Sequence, residues 1–420
     1  MTTDVQRSIE AVWRIEQARL VAGLARMLRD VGLAEELAQD ALVAALEHWP
    51  RTGLPDNPAA WLMATAKRRA VDRLRHDSLA LRKHGELALE APEAEEPDYA
   101  AALDDDVGDD LLRLIFIACH PVLSTEARVA LTLRLVGGLA TDEIARAFLV
   151  PEPTVAQRIV RAKRTLSEAG VPFELPRGAD RAARTSSVLQ VIYLVFNEGY
   201  SATAGGDWMR PSLCDEALRL GRILAGLVPE EAEAHGLVAL MELQASRTPA
   251  RTGPSGEPVL LLDQDRGRWD RLLIRRGLAA LARAEALGGS RGAYALQAAL
   301  AACHARARRP GDTDWARIAA IYATLAEVAP SPVVELNRAV AVGMAEGPAA
   351  GLVLVDALAA EPALAGYHLL PAVRGDLLAK LGRGAEARRE FARAAAMTRN
   401  ERERVLLRDR AEALAEEGPA

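Results

Sequence analysis

An all-α fold is predicted by three observations. Half of the residues are hydrophobic, with alanine and leucine dominant, and only 4% are aromatic; that balance favours helices over sheets. Apolar residues recur at three- and four-residue steps in segment after segment, the period of an amphipathic helix. Small residues near the C-terminus recur 34 positions apart, the period of stacked helix pairs. The 420 residues suffice for about two to four domains. Helical domains are expected at 1–84 and 111–170, with an acidic linker at 85–110, a helical extension at 185–286 and a repeat region at 290–415.

Val12 to His48 is helical in pattern. Leu33, Leu37, Ala41, Ala45 and Trp49 recur at four-residue steps as a core stripe, and Glu35, Glu36, Gln39, Asp40 and Glu47 lie off it. That acidic side is read as a solvated face or as a docking face for a basic partner. Arg51 to Pro58 is a loop rich in Pro, Gly and Asn. Asn57 is placed to cap the next helix, with Pro58 in its first turn. That helix, Ala59 to His76, opens on Trp61, Leu62 and Met63 and then turns basic with Lys67, Arg68, Arg69, Arg73 and Arg75. An aromatic at one end with cations along the rest serves base stacking and phosphate neutralisation; a core Trp61 with solvated arginines is the alternative.

Glu86 to Asp110 holds eleven acidic residues and no basic one. Its composition argues for little packed structure over most of its length. It is read as a solvated tether, with occupancy of a basic channel, centred on Asp104, Asp105 and Asp106, as the sharper alternative. Leu111 to Ala118 and Thr125 to Val136 then supply helices that pack under the next motif.

That motif is GLATDEIARAFLVPEPTVAQRIVRAKRTL, Gly138 to Leu166. Ile144, Ala145 and Phe148 give a first helix one apolar side, Thr141 is placed to cap it, and Asp142 and Glu143 suit its partly positive start. Leu149 and Val150 form the turn, and Pro151 and Pro153 suit the beginning of a helix. In the second helix Val155, Ile159, Ala162 and Leu166 keep the stripe. Gln157, Arg158, Arg161, Lys163 and Arg164 occupy other faces, with no acid from Thr154 to Ser167. This fits a helix-turn-helix aimed at the major groove, or a helical hairpin with a solvated cationic face.

Further on, Val188 to Phe196 is apolar all round, the mark of a buried helix, ended by Asn197 to Tyr200. Leu213 to Leu227 and Glu230 to Ala245 are two more helices, followed by a Pro- and Gly-rich loop from Thr248 to Pro258. Asp263, Asp265, Arg266, Trp269, Asp270 and Arg271 form a dense mixed-charge cluster, read as an ion-pair network or as a ligand or phosphate site. The small-residue recurrences are Ala307, Ala341 and Gly375; Ala319, Val353 and Ala387; and Ala326, Ala360 and Ala394. The last copy, with Leu378, Gly382 and Phe391, is the clearest tetratricopeptide-like unit, although Pro371 and Arg399 stand at its usual Trp and Pro positions. Such pairs form a curved surface for a peptide or protein partner, or an intramolecular brace.

The net charge of −6 confines any nucleic-acid contact to local patches. Cys119, Cys214 and Cys303 are far apart, without metal spacing, and are read as reduced buried thiols. The N-terminus, MTTDVQRSIE, has no apolar signal core, and no apolar run reaches the ~18 residues of a membrane span. A cytoplasmic protein with no membrane association is expected. No nucleophile–base pair, phosphate loop or metal spacing is present, so no enzyme activity, catalytic residue, metal or cofactor is expected.

Two of these stretches carry a resemblance. AEELAQDALVAALEHW followed by NPAAWLMATAKRRAVDRLRH resembles region 2 of bacterial sigma factors of the extracytoplasmic-function class, group IV of the sigma-70 family. The helix-turn-helix stretch resembles their region 4. It departs at Phe148-Leu149, where Leu-Gly is usual, and at Pro151 and Pro153, where Ser and Gly are usual. The whole chain is similar to a subgroup with a C-terminal helical-repeat extension. The resemblance implies that Glu36, Gln39 and Asp40 dock on core RNA polymerase, whose β′ and β subunits are the expected partners together with promoter DNA. It implies that Asn57, Trp61, Lys67, Arg68, Asp72 and Arg75 open and read the minus-ten element. It also implies that Thr154, Gln157, Arg158, Arg161, Lys163 and Arg164 read the minus-thirty-five element as duplex. The extension is expected to regulate these regions. The alternative is a helix-turn-helix repressor or activator with a helical-repeat sensor domain, which leaves the Trp61–His76 helix without a task.

Overall fold

The computed structural model describes residues 2–85, 107–148, 150–201, 209–254, 256–398 and 400–416. The expected linker therefore lies outside the described residues from 86 to 106, as does Leu149 of the expected turn. The chain divides into two compact units, Met1–Ile192 and Tyr193–Ala420, with the boundary inside one helix.

The first unit holds α1 (Thr2–Leu28), α2 (Val31–Thr52), α3 (Pro58–Gly85), α4 (Val107–Ala118), α5 (Thr125–Leu135), α6 (Thr141–Phe148), α7 (Glu152–Glu168) and the first part of α8 (Gly178–Tyr200). The expected continuous pattern from Val12 to His48 is two helices. They are separated at Arg29, whose φ of 53° is left-handed, and Asp30 caps the second by accepting from Leu33 N at 2.9 Å. Leu20, Val21 and Leu24 of α1, Leu37, Ala41 and Trp49 of α2, and Leu62, Ala66 and Ala70 of α3 are buried, so the three helices share one apolar centre. The α4 helix starts at Val107, four residues inside the expected linker. Its buried Asp110 bridges Arg26 and Arg113 at 3.3 and 2.6 Å. The start of α8 is stitched to the α4–α5 corner: Arg184 donates to Phe116 O at 3.0 Å, and Ser187 to Cys119 O at 2.9 Å.

The second unit holds the rest of α8, then α9 (Pro211–Leu227), α10 (Ala232–Ala245), α11 (Arg271–Ala286), α12 (Ala293–Arg306), α13 (Trp315–Val328), α14 (Pro332–Ala345), α15 (Pro348–Ala357), α16 (Leu369–Lys380), α17 (Gly384–Met397) and α18 (Glu401–Glu416). The α10 helix is buried along nearly its whole length, between α9, α11 and α12. Its Glu242 takes Arg222 and Arg276 at 2.9 and 3.2 Å. From α12 onward, each helix packs against the next. In the loop expected from Thr248 to Pro258, Gly253 N donates to Glu257 O and Val259 N to Arg251 O, which makes a short paired turn.

The repeat is regular only at its end. Gly375 and Ala387 are buried where α16 crosses α17, and Ala394 is buried beside them. In the preceding pair, Val353 is 69% exposed and Ala360 is exposed. The close approach there is made by Gly343 and Gly351 instead. A Cβ on Gly351 would stand 2.8 Å from both Ala339 O and Gly343 Cα. Gly351→Ala is therefore expected to cost about 1–3 kcal/mol through overpacking, read as a lower denaturation midpoint of the full chain; an unshifted midpoint would show that α15 moves aside freely.

The Asp263–Arg271 cluster is not an ion-pair network. Among the described residues no ion pair joins its members. Asp265 accepts from Gly267 N and Asp270 from Leu272 N and Leu273 N, so both cap helical turns. Arg266 is buried and donates to backbone carbonyls. Among the described residues no helix is long and apolar enough to cross a membrane, and the three cysteines are free and buried.

Candidate nucleic-acid interface

The α7 helix carries the expected stripe inward: Val155, Ile159, Ala162 and Leu166 are buried against α5 and α6. The opposite surface presents Gln157, Val160, Arg161 and Arg164 to solvent, with Thr154 half-buried at the helix start. Arg164 reaches Glu168 at 3.0 Å, where both side chains are mostly exposed. Such a pair is weak and leaves the guanidinium available to a stronger partner. Two of the six expected residues do not sit on this open surface. Arg158 is half-buried, and its charge helps hold the Glu126 carboxyl below its usual range, after the hydrogen bonds that Glu126 accepts. Lys163 is half-buried and paired with Glu35 of α2. The preceding helix also differs in its cap. Thr141 is its first helical residue, and Glu143 reaches back to accept from Ala140 N at 2.8 Å.

The α3 helix begins as expected, with Asn57 Oδ1 accepting from Ala60 N at 3.0 Å. Asn57 is therefore occupied in a cap, and it sets the direction of the helix. Trp61 is half-buried, stacked on His48 at 5.9 Å and edge-on to Trp49 at 5.3 Å. It combines both readings made from the sequence, with one part of its ring held in the core and the rest facing out. Trp61, Arg68, Asp72 and Arg75 follow at steps of seven, four and three residues, which places them on one helix face. The last three are exposed, and Lys67 sits half-buried to one side.

The expected acidic face of α2 is only partly a surface. Glu36 is exposed. Gln39 Nε2 donates to Glu35 Oε1 at 2.8 Å, and Asp40 lies 3.3 Å from Arg69 of α3. Glu35 itself is 2% exposed, which corrects its expected place among solvated acids. Its carboxylate accepts from Arg134 Nε of α5 at 2.6 Å and pairs with Lys163 of α7. Gln17 of α1 donates to Arg134 O at 3.3 Å beside it. One carboxylate thus ties α2 to both the support and the surface helix of the helix-turn-helix, and is held by two cations and an amide. Apolar periodicity gives no sign of this residue, because it reports the face against α1 and α3 and not a second face covered by α5 and α7.

Comparison with known proteins finds three family matches along the chain. Residues 14–79 match the family described as sigma-70 region 2, and residues 113–166 the family described as sigma-70 region 4. Residues 184–285 match a family of unknown function, DUF6596. An uncharacterized protein of Rhizobium meliloti (strain 1021) is 46% identical over 94% of this chain and 93% of its own length. The ECF RNA polymerase sigma factor SigK of Mycobacterium sp. (strain KMS) is 28% identical over 36% of this chain and 76% of its own length. The probable ECF RNA polymerase sigma factor SigI of Mycobacterium tuberculosis (strain CDC 1551 / Oshkosh) is 26% identical over 39% of this chain and 56% of its own length.

Proposed function

The chain belongs to the sigma-70 family as an extracytoplasmic-function sigma factor with a C-terminal extension, and from that premise we propose how its residues divide the work of directing transcription initiation. Core RNA polymerase and promoter DNA are its partners. The α2 face with Glu36, Gln39 and Asp40 docks on the polymerase, against β′ with β nearby. The α3 face with Trp61, Arg68, Asp72 and Arg75, flanked by Lys67 and oriented by Asn57, opens and reads the minus-ten element: a stacking ring beside cations suits unpaired bases. The α7 surface with Thr154, Gln157, Arg161 and Arg164 reads the minus-thirty-five element, and Arg158 and Lys163 join it at the phosphates. The observation that carries this division is the presence of two exposed cationic faces, on α3 and on α7, each backed by its own buried stripe.

The arrangement described above is a resting state. The two promoter elements are centred about 25 base pairs apart, on the order of 85 Å of duplex at about 3.4 Å per step. Lys163 of α7 and Glu35 of α2 are in direct contact. Productive binding therefore requires α7 to leave α2, which frees Lys163 for DNA.

The test is transcription by purified core polymerase from genomic fragments. Start-site selection by the full chain is the expected result, and its absence would leave only a helical DNA-associated protein. Arg161→Ala is expected to cost about 1–3 kcal/mol, roughly a 5- to 150-fold loss at a cognate promoter, with relaxed preference at one base. Equal loss on every promoter would instead make Arg161 a phosphate contact.

The extension regulates these steps within the cytoplasm, with the stacked pairs α14–α18 as a surface for a peptide or protein partner. The informative truncation ends at Ile192, because a cut near Leu175 removes Arg184 and Ser187 from the α4–α5 corner. Altered promoter output on removal of the extension is expected, and identical output would exclude control by it.

A further inference from the structure

The segment that matches a family of unknown function contains most of one unusual group of side chains. Arg247 Nε, Gln264 Oε1, Arg266 Nε, Trp269 Nε1 and His304 Nδ1 are all buried without a hydrogen-bond partner among the described residues. Buried polar atoms are nearly always paired, so five orphans in one place call for a missing partner. The two arginines flank a single indole. The guanidinium carbons of Arg266 and Arg247 lie 5.0 and 6.0 Å from the centre of the Trp269 ring. Arg266 ties His304 into the group by donating to its carbonyl at 2.8 Å. Arg247 also faces the Tyr200 ring at 5.7 Å. In a chain with only 4% aromatic residues, an indole and a phenol flanking two guanidinium groups is a marked concentration.

The charges are as unusual as the orphans. Arg247 donates to a neutral amide, Gln244 Oε1, at 2.8 Å. Arg266 donates to two carbonyls and to the Thr313 hydroxyl. Among the described residues neither guanidinium is in an ion pair. Two like charges therefore share a partly desolvated space with no carboxylate bound to either, an arrangement that disfavours the folded state unless an anion completes it. Burial, followed by these two arginines, holds His304 down to about 4, so the ring adds a donor or an acceptor and no third charge. Three orphaned atoms are obligate donors, and Gln264 Oε1 is the one obligate acceptor. Arg247 is the half-exposed member and gives the group its opening to solvent.

We propose that Arg247, Arg266 and the Trp269 indole form a binding site for a small ligand bearing an oxyanion, its phosphate or carboxylate seated between the two guanidinium groups and its body against Trp269. Guanidinium forks suit either anion, and flanking aromatic rings suit a flat or apolar body. The mixed-charge sequence DQDRGRWD then has a division of roles: Asp265 and Asp270 shape the backbone, while Gln264, Arg266 and Trp269 face the ligand.

Calorimetry and thermal melting on the full chain test this, with inorganic phosphate, phenyl phosphate and benzoate as probes and chloride at matched ionic strength as control. Saturable binding with a raised melting temperature is expected for at least one aromatic probe. Preference for phenyl phosphate over benzoate identifies a phosphate ligand, and the reverse a carboxylate. Arg247→Gln should weaken binding at least tenfold while raising the melting temperature in chloride, because it removes one of two unpaired like charges and Arg247 holds no backbone. Arg247→Lys, which keeps the charge and loses the fork, should fall between them. Should all three probes act no differently from chloride, the five atoms are satisfied by water and the site does not exist. Equal affinity in Arg247→Gln and the parent chain would likewise overturn the assignment.

Discussion

Replacing Glu35 with alanine is expected to destabilise the first unit by about 3–5 kcal/mol, the cost of removing one partner from a buried ion pair. Glu35 is 3% exposed at its side chain, and its two cations are 21% and 24% exposed. Both cations are thus mostly withdrawn from water, and alanine would leave Arg134 and Lys163 facing each other with nothing between them. Glu35→Gln keeps the shape and the acceptor and should cost less. Denaturant unfolding of the full chain, followed by a probe within the first unit, reads the difference, because two units need not melt together. A midpoint equal to that of the parent would mean that the bridge contributes nothing. The same substitution has the opposite sign for function. It weakens the contact that keeps α7 on α2, so the folded fraction of Glu35→Ala should favour the open arrangement and give more transcript per folded molecule.

Much of the reading was available from periodicity alone. The buried stripe of α7 is the one its sequence spacing gives, residue for residue, because a long amphipathic helix with one packed face obeys the 3.6-residue rule without interference. The Asn57 cap was legible for a similar reason, since Asn before Pro at a helix start has few other uses. Three things were hidden. Glu35 looked like a surface acid because helix α2 buries a second face, and that face becomes apparent only when α5 and α7 are in place. The repeat period pointed to Ala341 and Val353, but the tight crossing of α14 and α15 falls on Gly343 and Gly351. A period fixes the spacing of copies, and a degenerate copy can move its contact within that spacing. The Asp263–Arg271 charges were visible as a cluster, yet carboxylates in it bond to backbone amides and Arg266 to carbonyls. Backbone partners leave no trace in the pattern of side chains.

Locking α7 to α2 is expected to abolish promoter-specific initiation, with a loss of at least about a hundredfold set against the transition-state arithmetic of roughly 1.4 kcal/mol per decade. A Cβ built on Gly32 stands 3.7 Å from Lys163 Cδ, so cysteines at positions 32 and 163 are within reach of a short, cleavable, bifunctional thiol reagent. The native thiols do not compete. Cys119 and Cys214 are buried, and burial pushes them up to about 11 and about 12, while Cys303 is raised for the same reason; a protonated, enclosed thiol is a poor nucleophile. The control is the same double variant capped with a monofunctional reagent, because Lys163→Cys already removes one arm of the Glu35 bridge. The capped protein should select start sites, the cross-linked protein should not, and cleavage of the link should restore activity. A span of tens of ångströms between the promoter elements makes this an all-or-none test: no small rotation of α7 on a short tether can satisfy both. Undiminished start-site selection by the linked chain would mean that only one of the two cationic faces reads DNA.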